Sequence, residues 1–283
     1  NNLTVTYSSN QSPVLKNLYL EVNKGDHLAL IGPSGCGKTT FAKSIVMMLP
    51  KYSIFTGDIL VKGKNCKVMN NKKLQLFRRE NFGYIYQDSI KKLNPLMTVE
   101  AHLYELLKIH KPYKSNSEIK KSVHEVFLKV GIDIKRLTSY PHEFSGGMRQ
   151  RVCIAMALAL NPSIIIADEP TTSLDSYTSY KIMDELLNLC KKVESTLILI
   201  SHDINLAAKW CKKIAIFDKG KIKEYGEIKE VLNSPKSNIG KKLVNSAFSN
   251  LKTNNLFSKE SPAILEVENL RCWYRTNFSF FYP

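Results

Sequence analysis

The segment that most constrains this chain is Gly32-Pro33-Ser34-Gly35-Cys36-Gly37-Lys38-Thr39. A short apolar run, His27 to Ile31, precedes it, and a helical stretch from about Thr39 to Leu49 follows. Closely spaced glycines between a strand and a helix let the backbone wrap tightly, with its N–H groups turned inward. The start of the helix adds a favourable partial positive charge. This GxxxxGK[ST] pattern is a phosphate cradle: Lys38 reaches the β- and γ-phosphates, and the Thr39 hydroxyl can ligate Mg²⁺.

Two more apolar runs have the same character, Ile164 to Ala167 and Leu197 to Ile200. Short, continuous, β-branched runs alternating with helices predict parallel strands buried on both faces, and so an α/β sheet. Asp168-Glu169 follows the first run and His202 the second. An acidic loop or a loop histidine alone is ordinary surface. Here Gly32, Asp168 and His202 each sit just past the carboxyl end of a predicted buried strand, where such sheets bind ligands. Asp168 is placed to hold Mg²⁺, directly or through water, and Glu169 to polarise a water for attack on a γ-phosphate.

Around this centre, Leu3 to Tyr7 and Val14 to Val22 read as strands. Residues 88–144 read as a mostly helical insertion. Val99, Leu103, Leu106 and Leu107 fall at helical spacing, as do Ile119, Val123, Val126, Phe127 and Val130 behind a Ser115-x-x-Glu118 capping box. A helix from Ser173 to Lys192 and a short βαβ tail complete the sheet. Ser145-Gly146-Gly147 opens a further helical stretch, Val152 to Leu160, and is a second phosphate-binding surface. Either two ligands bind, or this surface serves a partner's nucleotide; the residues alone leave both open.

GPSGCGKT at 32–39, Gln87, FSGGMRQR at 144–151, IIIADEPTTSLD at 164–175 and ISHD at 200–203, in that order, resemble the ATP-binding-cassette (ABC) ATPases over about residues 2–235. The resemblance implies a P-loop NTPase fold with an N-terminal antiparallel β-subdomain and a helical insertion. It also implies two cassettes meeting head to tail, with each ATP held between one P-loop and the other cassette's Ser145-Gly146-Gly147. By position, Gly32, Ser34, Gly35, Cys36, Gly37, Lys38, Thr39 and Thr40 would bind ATP, and Tyr7 would stack on adenine. Thr39, Gln87 and Asp168 would serve Mg²⁺. Glu169 would be the catalytic base, Gln87 would sense the attacking water and link to the transport partner, and His202 would position the γ-phosphate and the water. Asp175, in Ser173-Leu174-Asp175, would contact the partner cassette.

Tyr86-Gln87-Asp88, Leu93-Asn94-Pro95 and the run from Tyr140 to Arg151 are similar to the oligopeptide, dipeptide and nickel importer branch. That branch implies integral membrane permease subunits, a solute-binding protein acting indirectly, and residence at the cytoplasmic face of the membrane. Its Cys-rich C-terminal segment has no counterpart here, where only Cys272 follows Cys211.

Residues 1–242 are thus expected to form one ABC domain, and the polar stretch 243–262 a linker. Residues 263–283 are expected to begin a second cassette. Asn269-Leu270 and Tyr274 repeat the N-L-x-x-x-Y of Asn2, Leu3 and Tyr7. No run is long and apolar enough for a transmembrane span, and no signal peptide opens the chain, which lacks an initiating Met.

The formal charge is +16, which at first suggests nucleic acid or an anionic surface. Yet residues 51–80 and 209–242 each carry +6, and only seven of the 41 cations are Arg, the better phosphate and base reader. The excess therefore reads as Lys-rich surface. An importer ATPase leads, and a soluble ABC ATPase acting on nucleic acid or the ribosome is the alternative.

Overall fold

The structure, a computed structural model, describes residues 1–8, 12–87, 93–172, 174–249, 265 and 267–271. In chain order, β1 (Leu3–Tyr7), β2 (Leu15–Leu18) and β3 (His27–Ile31) lead to α1 (Lys38–Ile45). Next come β4 (Ser53–Thr56), β5 (Leu60–Val61), β6 (Lys64–Asn65), α2 (Asn71–Asn81) and β7 (Phe82–Ile85). Helices α3 (Val99–His110), α4 (Asn116–Lys129) and α5 (Gly146–Leu158) precede β8 (Ile164–Asp168), α6 (Ser176–Lys192), β9 (Thr196–Ser201) and α7 (Ile204–Trp210). The last elements are β10 (Lys213–Asp218), β11 (Lys221–Glu227), α8 (Ile228–Asn233) and α9 (Asn238–Ser249).

The central sheet has the order β11-β10-β3-β9-β8-β7, parallel throughout except for the antiparallel β10–β11 pair. Residues 28–31, 164–167 and 197–200 are apolar at every position because both faces are covered. Ala29, Ile31, Leu197, Leu199, Ile165 and Ala167 join one hydrophobic cluster. Their neighbours Leu28, Leu30, Ile198, Ile200 and Ile166 join the other. Side chains alternate across a strand, so a strand buried on both faces has no polar phase.

The expected antiparallel β-subdomain is present as β2-β1-β4. Its second strand is shorter than Val14 to Val22. Asn17 takes φ +48 and the register slips opposite Leu3 and Val5, which interrupts the ladder. Helix α1 likewise stops at Ile45 rather than Leu49, with Met47 at φ +53. Helix α5 opens earlier than Val152, at Gly146. Helix α6 begins at Ser176 behind Asp175, whose carboxylate accepts from Thr178 N at 2.9 Å; Ser173 lies outside the described residues.

The insertion is helical. The capping box of α4 is closed in both directions between Ser115 and Glu118, and Leu103, Leu107, Ile119, Val123 and Phe127 are buried. The Leu93-Asn94-Pro95 turn is tied to α3 through the buried His102. Asn94 N donates to its Nε2 at 2.9 Å, while its Nδ1 lies 2.8 Å from Thr98 O.

The chain divides into two units, Asn1–Ala247 and Phe248–Pro283. Where the linker is expected from residue 243, α9 continues: Val244 is buried, and Ile239, Leu243 and Ala247 pack on the larger cluster. Those apolar residues recur at helical spacing within a polar composition. In the second unit Leu265 and residues 267–271 carry no helix or strand. The rest of the expected second start, Tyr274 included, lies outside the described residues.

Truncation of Phe127, fully buried in the insertion, removes a large side chain that the fold cannot collapse around. Phe127→Ala is expected to cost about 3–5 kcal/mol, read as a lower urea midpoint with an unchanged slope.

Candidate functional site

The glycine loop leaves β3 at Gly32. A Cβ there would lie 2.3 Å from the Phe217 carbonyl oxygen on β10 and 2.9 Å from Cys36 Sγ, so the backbone passes where no other residue fits. Gly37, at φ +109, is the N-cap of α1. Lys38 is buried, and its ammonium donates to the carbonyls of Gly32 at 2.7 Å and Pro33 at 3.0 Å. Pro33, Ser34 and Gly35 are exposed, whereas Cys36 is buried and burial raises its thiol pKa. Tyr7, from β1, meets α1 through its hydroxyl, 3.2 Å from Thr40 Oγ1.

Asp168, at the end of β8, is only 2% exposed. Each of its oxygens accepts a hydroxyl, Thr39 at 3.4 Å on Oδ1 and Tyr84 at 3.3 Å on Oδ2. Burial raises its pKa; the two hydroxyls and the Lys38 charge pull it back down, and the neighbouring Glu169 adds to the rise. Hydroxyl, carboxylate and the Gln87 amide are hard oxygen donors of the kind Mg²⁺ takes, one carboxylate sufficing where a phosphate supplies the rest. The residues present therefore fit that cation.

Glu169 is the hub of a second set. Its Oε2 accepts Gln87 Nε2 at 3.1 Å and Thr172 Oγ1 at 3.2 Å, and its Oε1 lies 3.5 Å from His202 Nδ1. Its backbone takes φ +46, a left-handed conformation that costs an L-residue of this size, and its N–H is pinned to Ile200 O at 3.0 Å. The turn swings the carboxylate away from the strand direction towards Gln87 and His202.

The structure thus brings Thr39 to Asp168, and both Gln87 and His202 to Glu169. Ser145 bonds within its own segment, accepting from Met148 N at 3.4 Å as the cap of α5. Its two glycines have a packing role. A Cβ on Gly147 would sit 2.7 Å from Thr178 Cγ2, and one on Gly146 3.0 Å from Leu174 Cδ2, so they let α6 and the turn leading into it close on α5. Residue patterns did not single out Thr172 or Tyr84. Thr172 lies inside the quoted run 164–175, but Tyr84 is an aromatic on a strand that no pattern marked.

Two cavities flank these groups. One, of about 450 Å³, is lined by Glu169, His202, Leu174, Met183 and Trp210 among others. The other, of about 570 Å³, runs past Arg78, Arg79, Tyr84, Tyr86, Leu106 and Met156.

A phosphate-binding α/β sheet with this loop and these two acids defines a nucleotide-binding class, and comparison with known proteins narrows it. A family model described as ABC transporter matches residues 15–172. The oligopeptide transport ATP-binding protein OppD of Bacillus subtilis (strain 168) is 37% identical over 226 residues, covering 78% of this chain and 63% of that protein. The dipeptide transport ATP-binding protein DppD of the same organism is 37% identical over 251 residues, covering 87% and 75%. The chain therefore spans less than two thirds of the first relative's length. A dimeric structure of the ATP-binding cassette MJ0796 in a post-hydrolysis state bound to ADP and Pi superposes with a TM-score of 0.70 at 30% identity, covering 80% of this chain and 97% of that one. The chain belongs to the ABC transporter family, and its fold is that of an ATP-binding cassette.

The close approach at Gly32 gives a direct test. Gly32→Ala must displace either the loop or β10, and overpacking of this kind costs about 1–3 kcal/mol. A lowered thermal midpoint is the expected reading.

Proposed function

We propose that this chain is the ATP-binding and hydrolysing subunit of an ABC importer for peptides or a similar small solute. The Glu169 carboxylate carries the reading, held by Gln87, Thr172 and His202 next to the buried Asp168. The loop's N–H groups and the start of α1 receive the phosphates, with Gly35, Cys36, Gly37, Thr39 and Thr40 around them. Lys38 is a compact cation already aimed into the loop, so it turns to phosphate oxygens at little reorganisation cost. Tyr7 borders α1 and offers its ring to the adenine.

Thr39, Asp168 and Gln87 would hold Mg²⁺, which when bound neutralises charge on the phosphate oxygens. Glu169 orients a water and takes its proton as the oxygen attacks the γ-phosphorus. Gln87 and Thr172 fix the direction of its carboxylate, and His202 steadies the water and the γ-phosphate from the other side.

The second nucleotide surface, Ser145, Gly146 and Gly147, serves the ATP of a partner cassette, and Asp175 lies at that seam. A dimeric cassette among the structural relatives supports this pairing. The partner is a second copy or a domain further along the same polypeptide; the N-L-x-x-x-Y echo at Asn269 and Leu270 favours the latter.

No helix among the described residues is long and apolar enough to cross a membrane; by the likeness to transport ATP-binding proteins, permease subunits supply the passage. They dock in the groove beside Tyr86, the residue before Gln87, which puts the subunit at the cytoplasmic face of the membrane. A solute-binding protein acts only through those permeases. The named relatives transport oligopeptides and dipeptides, and nothing in the site favours the nucleic-acid alternative.

Glu169→Gln keeps the size and loses the base. It is expected to retain MgATP binding while turnover falls about 10²–10⁴-fold, measured by phosphate release. Wild-type turnover in this variant would remove Glu169 from the role of base.

A further inference from the structure

Tyr84 is a residue that the family motifs leave unassigned, and it touches both halves of the machine. Among the described residues, strand β7 is at the edge of the central sheet, paired with β8, where Tyr84 lies opposite Ile166. Its hydroxyl reaches across to Asp168 Oδ2 at 3.3 Å. The same residue lines the 570 Å³ groove together with Tyr86. The two rings are packed together, their centroids 4.3 Å apart at 36°. The next residue, Gln87, bonds Glu169. One strand end therefore sends two hydrogen bonds to two adjacent carboxylates.

The other hydroxyl on Asp168 belongs to Thr39, which is itself directed to the cation. Tyr84 is then the donor dedicated to the carboxylate. A phenol carries its proton near neutral pH, so the Tyr84 hydroxyl donates to the Asp168 carboxylate it faces. Partners of this kind orient a metal-holding carboxylate, and their loss typically weakens metal affinity by 10–100-fold.

We propose that Tyr84 is a positioning residue for Asp168 and the route by which occupancy of the β7 groove reaches the cation site. The inference rests on the reading of this chain as an ATPase docked to permeases through that groove. An occupant that moves the Tyr84–Tyr86 pair changes the aim of Asp168, and so how firmly the cation is held.

The test titrates Mg²⁺ calorimetrically into the full chain saturated with AMP-PNP. Tyr84→Phe keeps the ring and removes the hydroxyl. The apparent Mg²⁺ Kd is expected to rise about tenfold, with AMP-PNP affinity in EDTA unchanged and the melting temperature within about 2 °C of wild type. A purely structural role would move the last two and not the first. Met156→Trp, which fills the groove away from the site, is expected to shift the Mg²⁺ Kd in the wild-type background and not in the Y84F background. An unchanged Mg²⁺ Kd in Y84F, with wild type binding normally, overturns the positioning role while the ATPase reading stands. Equal effects of Met156→Trp in both backgrounds, zero included, overturn the groove link. Failure of wild type to bind AMP-PNP at all brings down the functional reading and this inference with it.

Discussion

Parallel pairing of β3, β9 and β8 is the constraint on which the site depends. His27 through Ile31 pairs residue for residue with Leu197 through Ser201, and Ile164 through Asp168 with Thr196 through Ile200. In this register the three strands end together. Gly32, Asp168 and His202 come from positions far apart in sequence, yet they meet because hydrophobic burial on both sheet faces lets no strand slide. A slip of one residue would exchange the two faces and turn every side chain into the wrong cluster.

On that edge two adjacent acids have opposite surroundings. Asp168 continues the strand and is sealed from solvent. Glu169 leaves the strand through a left-handed turn, and its side chain stays 17% exposed. One acid is thus enclosed with two hydroxyls, and the other faces an amide and an imidazole at the rim. A single backbone turn, pinned by Ile200 O, separates the sealed carboxylate from the one at the rim by one residue.

Much of this was legible in the residues, for physical reasons that also mark where reading stopped. Strands β3, β8 and β9 announced themselves because double-faced burial demands unbroken apolar runs, and α4 because its capping box is local. The glycine loop is legible because its pattern occupies eight consecutive residues, Gly32 to Thr39. Strand β11, Lys221–Glu227, alternates exposed and half-buried residues with few apolar ones, so its pairing to β10 left no hydrophobic signature. Helix α9 hid within a polar composition, and its inward face became visible only against the core. Tyr84 and Asp168 are 84 residues apart, and no spacing rule connects a hydroxyl to a carboxylate at that range. The pattern at Gly146 and Gly147 points to phosphate contacts and carries no sign of their close fit against Leu174 and Thr178.

The sheet also partitions the interior. Ile198 and Leu199 are chain neighbours, yet each packs in a different cluster, with the hydrogen-bonded ladder between them. Volume lost on one side cannot be filled from the other, because the ladder would have to break to let atoms through. The molecule therefore tolerates damage as two separate compartments. A void opened at Phe127 is relieved, if at all, from within the insertion's own cluster, and one at Phe41 from within the cluster beneath the glycine loop.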